Sequence, residues 1–413
     1  MKFETLSVIG LGYIGLPTAA TFASRGLKVI GVDVNQNAVN TINRGEIHII
    51  EPDLDIVVRS VVQSGHLRAT TSPEPADAFI VAVPTPFKDD KQPDLRYIES
   101  AAKAIAPVLR KGNLVILEST SPVGATEQMA AWLAEARPDL SFPQGAGESS
   151  DIRVAHCPER VLPGKVLIEL INNDRVIGGM TRKCSDASVL LYKMFVQGEC
   201  VVTNARTAEM CKLTENSFRD VNIAFANELS MICDKLDINV WELIRLANLH
   251  PRVSILQPGP GVGGHCIAVD PWFIVASAPD DSRLIKTARN VNDDKPHWVI
   301  HKVEDAVREL NKVQPVVACL GLAFKANIDD LRESPSVEIV QALADRQLSR
   351  ILVVEPNVQA LPNVLDGKVE LVSLEQALVA ADIVLLLVDH NQFKNVERER
   401  LSRLIVIDTR GIW

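Results

Sequence analysis

The chain has 413 residues, with 47% apolar and 23% charged content, which is more than one hydrophobic core can organise and predicts two or three domains of ordinary globular composition. A formal net charge of −9 argues against a nucleic-acid partner, which needs a basic face. The longest apolar runs, such as Ile383 to Val388, are strand-sized rather than bilayer-sized, and seven cysteines without a Cys-x-x-Cys spacing argue against zinc and against a disulfide framework, so a reducing cytoplasm is expected.

In chain order, Met1-Lys2-Phe3-Glu4-Thr5 enters a strand at once, which leaves no room for a signal peptide. Leu6 to Gly10 is a β-branched run, Gly15 to Arg25 is helical, and Lys28 to Val32 is a second strand. Ala78 to Val83 and Leu114 to Leu117 repeat the pattern, each followed by a turn and a helical segment. Ile152 to Cys157, Arg175 to Gly178 and Glu199 to Thr203 add strands. This alternation predicts a doubly wound parallel sheet.

From Thr207 to Lys235 the chain lacks Gly and Pro, and apolar residues recur at helical spacing, which predicts one helix of roughly eight turns. Such a helix needs a second face to pack on, so a dimer interface is expected there. Helices follow at Val240 to Ala247 and about Ser282 to Leu310. Strands resume at Val316 to Leu320, Ile351 to Glu355, Ile383 to Val388 and Leu404 to Asp408. The expected organisation is α/β, with two Rossmann-like doubly wound parallel-sheet domains, residues 1–203 and 312–413, joined by a central helical region, 204–311, with one long helix.

Gly10-Leu11-Gly12-Tyr13-Ile14-Gly15 follows a strand and opens a helix. Its three glycines allow a tight turn, close approach of a pyrophosphate, and helix–strand packing. Asp33 ends the next strand, where a carboxylate accepts from an adenosine ribose, and Val34-Asn35 places no base after it, which favours NAD over NADP. Thr85 and the Glu118-Ser119-Thr120 turn also lie past strand ends, the ligand edge of an open sheet.

Cys266 ends Pro258-Gly259-Pro260-Gly261-Val262-Gly263-Gly264-His265-Cys266, a bare loop that packs poorly but admits a ligand to its backbone. The expected role of the thiol is nucleophilic. Asp270 either assists a water or alkoxide or caps the helix that follows. Lys212, Asn216 and Arg219 share one face of the long helix, as a solvated stripe or, in a desolvated cleft, as a site with Lys212 as proton shuttle. Glu159-Arg160 is either a surface ion pair or a carboxylate that orients water. His250, Arg252, Lys325, Arg332 and Arg410 are the candidates for a diphosphate.

Gly10-x-Gly12-Tyr13-x-Gly15, Glu118-Ser119-Thr120, Glu209-x-x-Lys212-x-x-x-Asn216, the Gly259-to-Cys266 loop, Gly321-Leu322-Ala323-Phe324-Lys325 and Arg332-Glu333-Ser334-Pro335 resemble the UDP-glucose/GDP-mannose dehydrogenase family. Within it, Cys157-Pro158-Glu159-Arg160-Val161-Leu162-Pro163-Gly164 and Cys266-Ile267-Ala268-Val269-Asp270-Pro271-Trp272-Phe273 look like the members that oxidise UDP-N-acetyl-D-mannosamine for enterobacterial common antigen. The resemblance implies a four-electron oxidation of the sugar C6 hydroxyl to a carboxylate with reduction of two NAD. It implies Cys266 as nucleophile and Lys212 as proton donor or acceptor; in the mechanism expected from these residues Lys212, or a water held by Thr120 and Asp270, takes the C6 hydroxyl proton, and Glu159 or Asp270 helps the hydrolytic water. Tyr13, Ile14, Asp33, Thr85 and Thr126 would contact NAD. Arg160, Val161, Lys212, Asn216, Arg219, His250, Arg252, Gly263, Phe324, Lys325, Arg332 and Arg410 would contact the UDP-sugar. A homodimer through the long helix is implied as well. UDP-glucose members carry an acid where this chain has Pro163, which argues against UDP-glucose and leaves Glu159 or Asp270 to act on water. The rivals are oxidation of UDP-N-acetylglucosamine or UDP-glucose, a one-step dehydrogenase, and a non-catalytic NAD-binding redox sensor.

Overall fold

The computed structural model describes residues 2–88, 90–162, 164–264 and 266–413. Two compact units are formed, one by Met1–Glu215 with Trp272–Ala278, the other by Asn216–Pro271 with Pro279–Trp413.

The first unit is built on eight strands: β1 (Thr5–Ile9), β2 (Lys28–Val32), β3 (Leu67–Thr70), β4 (Ala78–Val81), β5 (Leu114–Leu117), β6 (Arg153–His156), β7 (Arg175–Gly179) and β8 (Cys200–Asn204), in the order β3-β2-β1-β4-β5-β6-β7-β8. Helices cover both faces, so the central strands β4 and β5 are apolar and buried throughout rather than alternating. Successive residues still point to opposite layers: Ala78 and Ile80 enter one core with Leu6 and Val8, while Phe79 and Val81 enter the other with Ile9. The order reverses between β1 and β4, which opens a crevice at their carboxyl ends.

The second unit carries a smaller parallel sheet of β9 (Val316–Leu320), β10 (Arg350–Val354), β11 (Glu370–Leu371), β12 (Ile383–Leu386) and β13 (Ile405–Asp408), ordered β11-β10-β9-β12-β13. Its layers divide in the same way, with Val317 and Cys319 in one core and Ala318 and Leu320 in the other. Local signals set the helix starts. Asn35 accepts from the Asn37 and Ala38 amides ahead of Gln36–Asn43, and Ser334 accepts from Ser336 ahead of Pro335–Arg346, both ordinary N-caps.

One pairing departs from the parallel expectation. β6 and β7 run antiparallel, Ala155 opposite Gly179 and His156 opposite Gly178. The helix between them, Val166–Asn172, has seven residues and advances the chain only about 10 Å, too little to carry it back along the sheet for a parallel return. The short strands β3 and β11 lie outside the expected set. The long helix begins at Ala205, two residues before its expected start, and spans 31 residues to Lys235. Among the described residues, no helix is long and apolar enough to cross a membrane.

In the second unit, the later part of that helix packs against Arg283–Leu310 through a buried polar seam. Arg289 and Asn292 donate to Asp220, and Lys295 Nζ donates to Ser230 Oγ at 2.6 Å while lying 3.7 Å from the Trp298 ring centroid. Burial pulls the Lys295 ammonium down from 10.5 to about 7. The unfolded chain therefore holds more protons between pH 7 and 10.5, and stability rises with pH across that window. Lys295→Met should flatten this rise, as read by thermal unfolding midpoints at its two ends; an unchanged slope would show that burial does not pull the Lys295 ammonium down.

Candidate active site

In the first unit the site begins at the β1 turn. Gly10 has φ 91°, and its N–H donates to Val32 O at 2.8 Å. A Cβ there would sit 2.5 Å from Ala82 O, so this approach of two backbones requires glycine. A Cβ on Gly12 would meet nothing within 4 Å, which leaves an open cradle ahead of the helix Gly15–Ser24. Asp33, half-buried at the end of β2, accepts from Leu11 N–H at 2.9 Å and from Asn35 N–H at 2.8 Å, and each oxygen retains acceptor capacity. The Thr85 hydroxyl is buried without a partner, an orphaned donor at the ligand edge. Tyr13 is exposed and Ile14 half-buried. The open cradle, the half-buried carboxylate and the orphaned hydroxyl fit a dinucleotide.

Thr126 lies at the start of Ala125–Ala136, is fully enclosed, and donates from its hydroxyl to Glu209 at 2.6 Å. Glu209 also accepts from the Gly124 and Thr126 amides, so a carboxylate from the long helix caps this helix and meets the positive end of its dipole. Behind the β5 turn, Arg175 is shared by two carboxylates, at 2.8 Å from Glu159 and 3.5 Å from Glu118. Tyr192 Oη donates to Glu118 at 3.0 Å. Burial, and then the neighbouring Glu159, raise the Glu118 carboxyl to about 7. Glu159 is thus enclosed in an ion pair rather than on the surface. Arg160 pairs with Glu215 at 2.6 Å. Val161, Thr120 and Lys212 are half-buried in this unit, and Pro163 lies outside the described residues.

The second unit holds the glycine loop. Gly259 N–H donates to Asn227 Oδ1 at 2.9 Å, and Asn227 Nδ2 donates to Asn292 Oδ1 at 2.9 Å, so the polar seam described above ends on the loop backbone. A Cβ on Gly263 would stand 2.4 Å from Glu333 O and 3.0 Å from Phe324 Cβ; only a bare backbone fits. Among the described residues, Cys266 is the one exposed cysteine, while burial pushes the Cys157 and Cys319 thiols up to about 12. The Asp270 amide donates to Cys266 O at 2.9 Å, and Asn216 Nδ2 donates to the buried Asp270 carboxylate. Asp270 is the first residue of its helix, Asp270–Ser277.

A groove of about 620 Å³ is lined by Trp241, Arg245, Asn248, Gln257 and Arg410, the last being one of the cationic candidates. Arg410 is 3.5 Å from Asp389 and also packs against Gly259, whose Cβ would meet its guanidinium at 2.6 Å. His250 and Arg252 are exposed and adjacent, with Arg252 N–H donating to His250 Nδ1 at 3.3 Å. Lys325 and Arg219 are exposed, and Arg332 forms an ion pair with Asp330 at 2.7 Å. Within this unit the structure brings together Asn216 with Asp270, Gly263 with Phe324, and the glycine loop with Arg410. Sequence reasoning did not assign Asn227, Asn292, Arg175 or Trp241. The signal available for Asn227 and Asn292 is that asparagine is a poor helix former, and both stand inside long helices.

Residues 4–196 match the NAD binding domain of the UDP-glucose/GDP-mannose dehydrogenase family, 206–294 its central domain, and 318–413 its UDP binding domain. An NDP-N-acetyl-D-galactosaminuronic acid dehydrogenase of Ralstonia nicotianae is 68% identical over 100% of this chain and 97% of its own. A UDP-N-acetyl-D-mannosamine dehydrogenase of Yersinia pestis is 66% identical over 100% of both. Among solved structures, the UDP-D-ManNAc dehydrogenase of Pyrococcus horikoshii superposes with a TM-score of 0.89 at 39% identity, over 99% of this chain and 96% of that one. If Asp33 holds the cofactor ribose, Asp33→Ala should raise KM for NAD about tenfold or more, the worth of a charged hydrogen bond, with UDP affinity unchanged. An unaltered KM for NAD would remove Asp33 from that role.

Proposed function

The chain belongs to the UDP-glucose/GDP-mannose dehydrogenase family and is an NAD-dependent oxidoreductase of a UDP-sugar, and from that premise we propose that it oxidises C6 of UDP-N-acetyl-D-mannosamine to the carboxylate. The observation that carries the chemistry is an exposed Cys266 thiol on a glycine loop anchored by Asn227, in a chain that also builds a dinucleotide turn. We assign residues 1–203 to NAD, 204–311 to the helical region with the cysteine loop, and 312–413 to the UDP-sugar, with the reaction in the cytoplasm, where an exposed thiol stays reduced, and its product directed to surface polysaccharide such as enterobacterial common antigen.

In this reading Gly10, Gly12, Tyr13, Ile14, Gly15, Asp33, Thr85 and Thr126 would hold NAD, which would supply the hydride acceptor for each of two oxidations. Lys212, with Thr120, accepts the C6 hydroxyl proton in the first. The Cys266 thiolate then adds to the aldehyde carbon, forming a C–S bond before the aldehyde can escape. Lys212 and main-chain N–H groups hold the oxyanion. After the second oxidation the carbon is a thioester, a water adds, and the C–S bond breaks to return the thiolate. Asp270, oriented by Asn216, directs that water, whereas Glu159 serves to hold Arg175. Alcohol, water and two NAD give carboxylate, two NADH and three protons.

For the UDP moiety, the Trp241 groove offers an aromatic face, two amides and two guanidiniums, and Arg160, Val161, Arg219, His250, Arg252, Gly263, Phe324, Lys325 and Arg332 complete the proposed contacts. A second sugar has one observation in its favour, the relative named for N-acetyl-D-galactosaminuronic acid.

Turnover with UDP-N-acetyl-mannosamine, -galactosamine and -glucosamine and with UDP-glucose separates these sugars, and the mannosamine compound is expected to give the highest kcat/KM and two NADH per sugar. Cys266→Ser should abolish acid formation; acid forming at near-normal rate in that variant would rule out covalent trapping. A homodimer is also proposed, supported by Phe218, Phe225 and Ile232, exposed apolar residues seven apart on the long helix, a stripe suited to a second helix. Sedimentation should give twice the chain mass, and Phe225→Glu should shift it toward the monomer; a monomeric native protein would refute this assembly.

A further inference from the structure

The turn after β9 repeats, bond for bond, much of the turn after β1. Gly321 N–H donates to Val354 O at 2.8 Å, as Gly10 N–H does to Val32 O at 2.8 Å. A carboxylate at the end of the next strand then accepts from the amide that follows the glycine: Glu355 from Leu322 at 2.7 Å, and Asp33 from Leu11 at 2.9 Å. Its second oxygen accepts from an amide two residues on, Asn357 at 3.0 Å in one case and Asn35 at 2.8 Å in the other. The two turns differ in what covers that carboxylate. Asp33 is half-buried beside an open cradle, whereas Glu355 is 4% exposed and His390, 1% exposed, lies against it.

The hydrogen bonds fix the state of the imidazole. His390 Nδ1 lies 2.9 Å from the Asn327 main-chain nitrogen. A main-chain N–H can only donate, so Nδ1 is the bare nitrogen and the proton resides on Nε2. Nε2 donates to Glu355 Oε2 at 3.1 Å, and Asn357 Nδ2 reaches Nδ1 at 3.1 Å. Asn327 itself sits at φ 61°, and its side-chain oxygen accepts from Asn391 N–H at 3.0 Å. One ring thereby joins the ends of β10 and β12 to the loop after β9. That loop carries Phe324, whose ring would meet a Gly264 Cβ at 3.1 Å, and the exposed Lys325.

We infer that His390 is a positioning residue for the UDP-sugar: it closes the carboxylate of the second turn to any ribose and fixes the 321–327 loop that presents Phe324 and Lys325. The inference rests on the assignment of those two residues to the UDP-sugar made above. Without the ring, Asn327 N–H and the buried Glu355 each lose a partner, and the loop samples other arrangements, so apparent affinity falls by the fraction of loop still in place.

Steady-state kinetics and calorimetry with UDP alone test it on four variants. His390→Leu should raise KM for the UDP-sugar and Kd for UDP about tenfold while KM for NAD and kcat stay within about threefold. His390→Asn, which restores an acceptor for Asn327 N–H, should recover most of that loss. Asn327→Gly keeps the backbone conformation, removes only the Asn391 bond, and should weaken UDP about threefold; it carries the test should His390→Leu fail to fold. Lys325→Ala is the control for the underlying assignment. If Lys325→Ala weakens UDP and the His390 and Asn327 variants do not, the positioning role is wrong. If Lys325→Ala itself leaves UDP binding unchanged, the assignment of the loop to the UDP-sugar fails, and the inference with it. Equal losses for NAD and UDP in His390→Leu, without recovery in His390→Asn, would reduce the ring to a general stabiliser.

Discussion

The cysteine loop is held by a hydrogen bond that begins well away from it in sequence. Gly259 N–H reaches Asn227, Asn227 reaches Asn292, and Asn292 with Arg289 closes on Asp220. Every member is buried, and a polar group enclosed without a partner costs about twice what a typical satisfied bond contributes. The chain of bonds therefore tolerates few arrangements. A loop with glycine at 259, 261, 263 and 264 has few side chains with which to hold its own shape, so part of its rigidity comes from the two long helices that supply Asn227 and Asn292. That division lets the loop backbone stay bare where Gly263 lies against Phe324 and Pro335.

The two sheets illustrate how one turn geometry serves two ends. At the first, the strand-end carboxylate is left with lone pairs facing an open cradle. At the second, burial pushes the Glu355 carboxyl up, but the His390 bond and the main-chain donors outweigh burial and keep it below its ordinary value, ionised and inward-facing. The same backbone plan has thus become a scaffold for presenting neighbouring side chains. The distinction lies in one residue after β12, far from either glycine in sequence.

Much of this was legible in the chain. Alternating apolar runs and glycine turns marked the sheets, because strands enclosed on both faces leave long apolar signatures; Asp33 and the Gly10 turn were readable for the same local reason. The short strands β3 and β11 were not, since Leu67-Arg68-Ala69-Thr70 and Glu370-Leu371 carry too little periodicity to stand out. Nor was the antiparallel β6–β7 pair, which depends on the length of an intervening helix rather than on strand composition. Cys266, Asp270 and Asn216 could be singled out, but the bond between the last two could not, and Glu159 read equally well as a surface charge until Arg175 was seen beside it. Arg175, Asn227 and His390 matter through partners at long sequence separation; no pattern along the chain points to Arg175 or His390, and for Asn227 the only signal is its residue type inside a helix.

Six of the seven cysteines sit wholly or partly inside the fold; two of these, Cys157 and Cys319, have thiols raised to about 12 by burial and so remain protonated and inert. Oxidants that attack thiolates consequently find Cys266 first. With Cys266 as the nucleophile proposed above, peroxide damage would begin as loss of turnover in a molecule that is still folded, and mild reductant would bring it back so long as sulfenic acid had gone no further.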